Sequence, residues 1–172
     1  MVIPVTNPSF SSIQSELGGS NPITMGEYTA WTEKASATSN VSMANFRGGF
    51  GMTVGKHSIS SGKGPGTSDY YGYSSLQNWN VQNGSVTSTT MIAPSGTLGA
   101  VYYATTENRV TYVVTGSNSN SGWTTLTIKG YTYSRASATS YSYTSPNRMW
   151  IFTTSTNPFG GVYGDTTLIQ VV

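Results

Sequence analysis

Leu126 and Ile128 share one face of an extended run, Lys129-Gly130 interrupts it, and Tyr131 and Tyr133 resume in mirrored phase. A two-residue X-Gly loop between period-two runs is the strongest short-range signal for a β-hairpin, since a type I′ turn needs positive φ at both central residues. The chain around it is constrained to be sheet. Val110, Tyr112 and Val114 alternate with Arg109, Thr111 and Val113 just upstream. Further strands are predicted at Ser85–Ile92, Leu98–Thr105, Ala138–Thr144, Arg148–Ser155 and Thr166–Val172, so that the chain ends inside its last strand. About six to eight short strands at roughly 8–12-residue spacing predict a mainly β fold, an antiparallel β-sandwich or jelly-roll-like domain. Between residues 50 and 80 no period stands out: Gly62-Lys63-Gly64-Pro65-Gly66 reads as a loop, and Asp69–Tyr73 gathers three tyrosines around Gly72.

The polarity of this chain comes from hydroxyls. Only 8% of residues are charged, against about 25% in an average domain, while 26 Ser, 26 Thr and 12 Tyr cover the sequence. Thr and Tyr suit a pleated surface, and a surface low in charge suits packing against copies or partners. The net charge of +2 arises from scattered groups, which gives no nucleic-acid face and no anionic-membrane patch. The absence of cysteine excludes a disulfide framework and a thiolate metal site. Met1–Val5 lacks the charged start of a secretory signal, and no apolar run nears the ~20 residues of a membrane span. The expected setting is a cytoplasm, without membrane insertion.

Residues 1–49 read differently. Ile23-Thr24-Met25-Gly26-Glu27-Tyr28 and Val41-Ser42-Met43-Ala44-Asn45-Phe46 repeat one pattern: β-branched apolar, hydroxyl, Met, two residues, aromatic. Each is a helix start, with the hydroxyl as N-cap and the flanking apolar pair as a staple. Thr24 with Glu27 forms a capping box, and Ser11 with Gln14 a looser one for a helix over Ser11–Leu17 that Gly18-Gly19 stops. A second helix runs from Met25 towards Lys34, and a third from Ser42 is cut by Gly48-Gly49. Helices this short are marginal alone and need something to pack on. The segment therefore reads as a docking element ahead of a β domain at 50–172, with Phe10, Ile13, Leu17, Ile23, Tyr28, Val41, Met43 and Phe46 as its contacts.

Catalytic patterns are poorly supported. His57 is the only histidine, Asp69 and Asp165 are the only aspartates that could orient it, and no G-x-S-x-G is present. Of six acids, Glu16, Glu27 and Glu33 fall in the docking segment. No catalytic residue, metal site or cofactor is expected. Tyr70, Tyr71 and Tyr73 lie in a Gly/Ser setting, as do Trp79 and Tyr163, and could contact a receptor or glycan. Trp123 and Trp150 sit in strand-like runs and read as core.

The run Ser9–Ile23 followed by Glu27-Tyr28, and then Val41–Gly48, resembles the opening of tailed-bacteriophage virion proteins, the tail-fibre and tail-associated proteins of cyanophages and other aquatic phages. Trp123–Ala136 and Asn157-Pro158-Phe159-Gly160 resemble β-rich C-terminal modules of the same proteins. The resemblance implies a virion structural protein, most simply a short tail fibre or baseplate-attached appendage. It also implies other virion proteins as partners, a homotrimer, and location in the virion. A capsid cement or decoration protein is the alternative within that class. A host-glycan-binding module is the alternative outside it, and a polysaccharide depolymerase ranks last.

Overall fold

The computed structural model describes residues 3, 7–19, 48–60, 67–76, 84–91, 95–117, 119, 121–142 and 146–172. Two antiparallel sheets form the body, as the spacing of strand signals predicts. The first has the order β4 (Ser85–Val86), β1 (Gly49–Thr53), β12 (Thr166–Val171), β8 (Thr125–Ile128), β9 (Tyr131–Ser134). The second runs β10 (Thr139–Ser142), β11 (Arg148–Thr153), β7 (Arg109–Thr115), β6 (Gly96–Ala104), β3 (Thr67–Ser74), β2 (Gly55–Ser60). β5 (Thr90–Met91) pairs with the start of β6, in line with β3 further along. Among the described residues one helix, α1 (Phe10–Leu17), precedes the strands.

The Lys129-Gly130 hairpin is present in the predicted register: Leu126 opposes Tyr133 and Ile128 opposes Tyr131. Both turn residues have positive φ, 46° at Lys129 and 80° at Gly130, as a type I′ turn requires. Other strands depart from expectation. Ser85–Ile92 is two strands in two sheets: Thr87 N–H donates to Gly51 O beside β4, and Leu98 N–H donates to Thr89 O beside β5. The chain changes sheets between them. Residues 49–74 hold three strands that the sequence hides, because Gly49 and Gly51 alternate with Phe50 and Met52 and glycine carries little strand signal.

The core between the sheets takes Phe50, Met52, Leu126, Ile128, Ile169 and Val171 from one side. Leu98, Val101, Tyr103, Val110, Tyr112, Val114, Trp150 and Phe152 come from the other, with Trp123 and Phe159 contributed by loops. At its centre Trp150 stacks on Tyr112 at 5.3 Å between centroids and 24°, while Trp123 meets Trp150 edge-on at 5.2 Å and Tyr112 at 5.5 Å. Phe152 continues the series to Tyr133 at 5.4 Å. Each such pair adds roughly 0.5–1.5 kcal/mol beyond its burial, a large share of a domain's net stability of about 5–15 kcal/mol. Trp123 and Trp150 are both core residues, although only Trp150 lies in a strand and Trp123 enters from the loop before β8.

The second sheet is buried on both faces. A bulge between Leu98 and Ala100 shifts the register so that Leu98 and Val101 both face inward. Ala100, Tyr102, Ala104, Val113 and Met149 form a separate buried cluster on the far side, with Tyr70, Leu76 and Ile151 at its margin. Thr111 is buried there too. The alternation read in β7 as apolar against polar is therefore apolar on both sides, the mark of a strand covered on both faces.

Two outcomes are expected. Gly130→Val forces a β-branched residue to φ near 80°, costing about 1–3 kcal/mol and lowering the melting temperature by roughly 3–10 °C, whereas Gly130→Asn, which visits left-handed backbone readily, loses much less. Burial pushes the Tyr133 phenol up to about 12 and raises Tyr102 and Tyr112 as well, while unfolded tyrosine ionises near ~10. The fold holds the neutral phenols, so their contribution is complete below about pH 10 and is lost as pH rises through the Tyr133 value. In a base titration the last part of the tyrosinate absorbance should appear only with unfolding; full ionisation with the native fold intact contradicts this.

Candidate interaction surfaces

The sequence places its functional residues in three groups, and the structure treats each differently. In the N-terminal group, α1 begins one residue earlier than predicted. Its cap is Ser9, not Ser11: Ser12 N–H donates to Ser9 Oγ at 3.1 Å and Ser9 N–H to Ser12 Oγ at 2.9 Å, a reciprocal box made by two serines. The Ser11–Gln14 box is corrected accordingly; a box built on Ser/Ser escapes a search for Ser followed by Gln or Glu. Gly18, at φ 78°, closes the helix by donating to Gln14 O.

The helix is fastened to the sandwich. Phe50 and Met52 point into the core, which leaves Gly49 and Gly51 on the other face of β1, and α1 packs against this strand. Ile3 N–H donates to Gly49 O, and Ile13 is fully buried. Glu16 is buried as well, and its carboxylate accepts from Thr87 Oγ1, which in turn accepts from Gly51 N–H at 2.9 Å. Of the predicted docking contacts, Ile13 is thus buried within this chain, Leu17 is half-buried and Phe10 is exposed at 38%. Ile23, Tyr28, Val41, Met43 and Phe46 lie outside the described residues. The division at residue 49 falls on the first residue of β1.

The tyrosine group is split by the pleat. Tyr71 and Tyr73 pack against the inter-sheet core, while Tyr70 belongs to the cluster on the far face. Tyr70 meets Tyr102 edge-on at 5.6 Å and donates to Glu107 Oε1 at 3.1 Å. Lys56 Nζ lies 5.5 Å from the Tyr71 ring centre and 3.2 Å from Asp69 Oδ2, and the Asp69 carboxylate raises its pKa. All three tyrosines are half-buried. They do not form one contact surface. Trp79 lies outside the described residues.

The acids within the described residues hold the fold together. Asp69 pairs with Lys56, Asp165 Oδ2 accepts from Lys129 Nζ at 2.7 Å, and Glu107 stands 4.0 Å from Arg109. The backbone of His57 lies in β2 opposite Tyr70, one register step from the Ser58–Asp69 pair. Among the described residues no three His, Cys, Asp or Glu side chains gather in one place, and no helix is long and apolar enough to cross a membrane.

A further surface is built by the loop between β11 and β12. Phe159 is a buried plug, fixed by its N–H donating to Asn157 Oδ1 at 2.9 Å. Beyond it the backbone turns through Gly160, Gly161 and Gly164, all at positive φ, and lifts Val162 and Tyr163 into solvent at 58% and 54% exposure. The base is pinned by Gly164 N–H on Val54 O, by Asp165 Oδ1 accepting from Thr166 N–H, and by the Lys129 ion pair. Tyr163 is legible in the sequence through its glycine setting; the buried anchor Phe159 beneath it is not.

Comparison with known family models, curated proteins and solved structures finds no match to this chain.

Thr87→Val removes the donor to a buried carboxylate and the acceptor for Gly51 N–H. It should destabilise the protein by about 2–4 kcal/mol and expose the bond after Leu17 to protease before the sandwich melts. Simultaneous loss of α1 and of both sheets would show that the helix is not a separable attachment.

Proposed function

We propose that this chain is a structural component of a tailed-phage particle, a short tail fibre or tail- or baseplate-attached appendage that carries a β-sandwich outward. The observation that carries the reading is the N-terminal run itself: Ser9–Ile23, Glu27-Tyr28 and Val41–Gly48 occur in the order and spacing of tail-associated virion proteins. Two features of the body support it. Its surface is rich in hydroxyls and low in charge, suited to lasting contact with other proteins. Its acids Glu16, Asp69, Glu107 and Asp165 each contact a side chain that fixes the fold.

Because α1 is held by its own sandwich, attachment in this reading falls to Phe10 and to the two later copies of the helix-start motif. A role in receptor contact is a second reading, favoured by the exposed Val162–Tyr163 tip, which presents an aromatic face to solvent. Mass spectrometry and antibody labelling of purified particles test the first reading, with the label expected on the tail. Tyr28→Ala and Phe46→Ala should reduce incorporation while leaving the melt of the sandwich unchanged. Label on the shell would turn the assignment to a cement protein. Absence from the particle, or normal incorporation of both variants, would remove the docking role.

A further inference from the structure

Strand β9 closes one edge of the five-stranded sheet. Natural edges are usually blunted by Lys, Pro, a bulge or an inward-turned charge. Tyr131-Thr132-Tyr133-Ser134 is short, but it carries none of these. The hairpin dictates which backbone groups look outward. In a two-residue hairpin the pair flanking the turn, Ile128 and Tyr131, exchanges hydrogen bonds, and bonding then alternates along the strand. Arg135 N–H donates to Thr124 O at 2.8 Å, which agrees with that parity. Tyr131, Tyr133 and Arg135 therefore bond to the β8 side, while Thr132 and Ser134, both exposed, aim their N–H and C=O away from the sheet.

We propose that β9 pairs antiparallel with β9 of a second copy of this chain about a two-fold axis at Thr132, joining two five-stranded sheets into one. Two requirements select this register. Opposed residues of an antiparallel pair share a face, so a two-fold axis normal to the sheet must fall on a residue and not between two. That residue must also turn its backbone groups outward or stand between two residues that do, with the carbonyls of the bonded residues uncommitted. An axis at Tyr133 fails the second requirement, because it would bond Thr132 to the partner's Ser134, whose carbonyl is already taken up by Ser137 Oγ. An axis at Ser134 meets the same committed carbonyl, 2.8 Å from Ser137 Oγ, and it would set Thr132 opposite Ala136 in the 3-10 turn Arg135–Ser137. Thr132 is left.

About that axis Thr132 exchanges two hydrogen bonds with the partner's Thr132. Tyr131 comes opposite the partner's Tyr133 on the inner face, a favourable aromatic cross-strand pair. Lys129 comes opposite the partner's Arg135, but each is drawn back into its own chain: Lys129 Nζ to Asp165 at 2.7 Å, and Arg135 Nε to Trp123 O at 2.6 Å. The strand is complementary to itself, which is the argument for a second copy over a foreign strand. The two-fold pairing stands in place of the homotrimer that the resemblance implies, and it does not depend on where in a particle the chain resides.

Sedimentation of the full chain over a range of concentrations tests this. Wild type should pass from one chain to two. Thr132→Pro deletes an N–H that β8 does not use and should weaken association by at least about tenfold with the fold retained by circular dichroism. Thr132→Lys keeps the backbone but sets two cations at the axis, and decides the matter if the proline variant does not fold. Oxidised Thr132→Cys should give a covalent dimer, since opposed residues lie about 5.5 Å apart between Cα atoms and the chain has no other cysteine. A wild type that stays single or sediments as three chains, or Pro and Lys variants that associate like wild type, overturns the proposal.

Discussion

The contact of Trp150 with Tyr112 and Trp123 is the joint on which this sandwich turns. Trp150 and Tyr112 stand on adjacent strands of the larger sheet, and Trp123 arrives from the loop that leads into the smaller one. The same rings reach through Phe152 to Tyr133 on the edge hairpin. Large rigid side chains tolerate little displacement, so the register of β11 against β7 is set by them. A one-residue slip would turn Trp150 outward and bring Met149 or Ile151 into its place. The hairpin is held at both ends, by the Arg135 guanidinium on the Trp123 carbonyl at its open end and by Lys129 on the Asp165 carboxylate at its turn.

What could be read in advance follows from how locally each element is specified. The β8–β9 hairpin is written in eight consecutive residues, and its turn has the backbone that Lys-Gly predicts. β12 and β11 were legible for the same reason, with ends off by one or two residues. The strands at 49–74 were not. Glycine fills one face of β1, and β2 and β3 owe their strand state to pairing with each other and with β6, which no local window contains. Val113 and Thr111 look like a solvent face in isolation; they are buried because the sheet is packed on both sides.

The candidate contacts were legible as residue types and not as surfaces. Three tyrosines within four positions invite the idea of a patch, yet a strand sends neighbours to opposite faces, and Tyr70 parts from Tyr71 and Tyr73. The same chemistry that makes tyrosine a good contact makes it a good core residue. Ile13 shows this from the other direction: the apolar stripe of α1 finds its partner on the body of the same chain.

Strand order carries a consequence for synthesis. In the smaller sheet β12 lies at the centre, with β1 on one side and β8 on the other, although its residues are made after those of both neighbours. Until they leave the ribosome, β1 and the β8–β9 hairpin have no strand between them. The larger sheet contains none of these strands and can zip from hairpins as they emerge. It must then wait, half its core uncovered, for a pairing that spans more than a hundred residues of chain. Contacts of that separation close slowly. The interval leaves Trp150 and Phe152 open to other nascent chains, so the yield of folded protein should depend on translation speed and on holding chaperones more than on final stability.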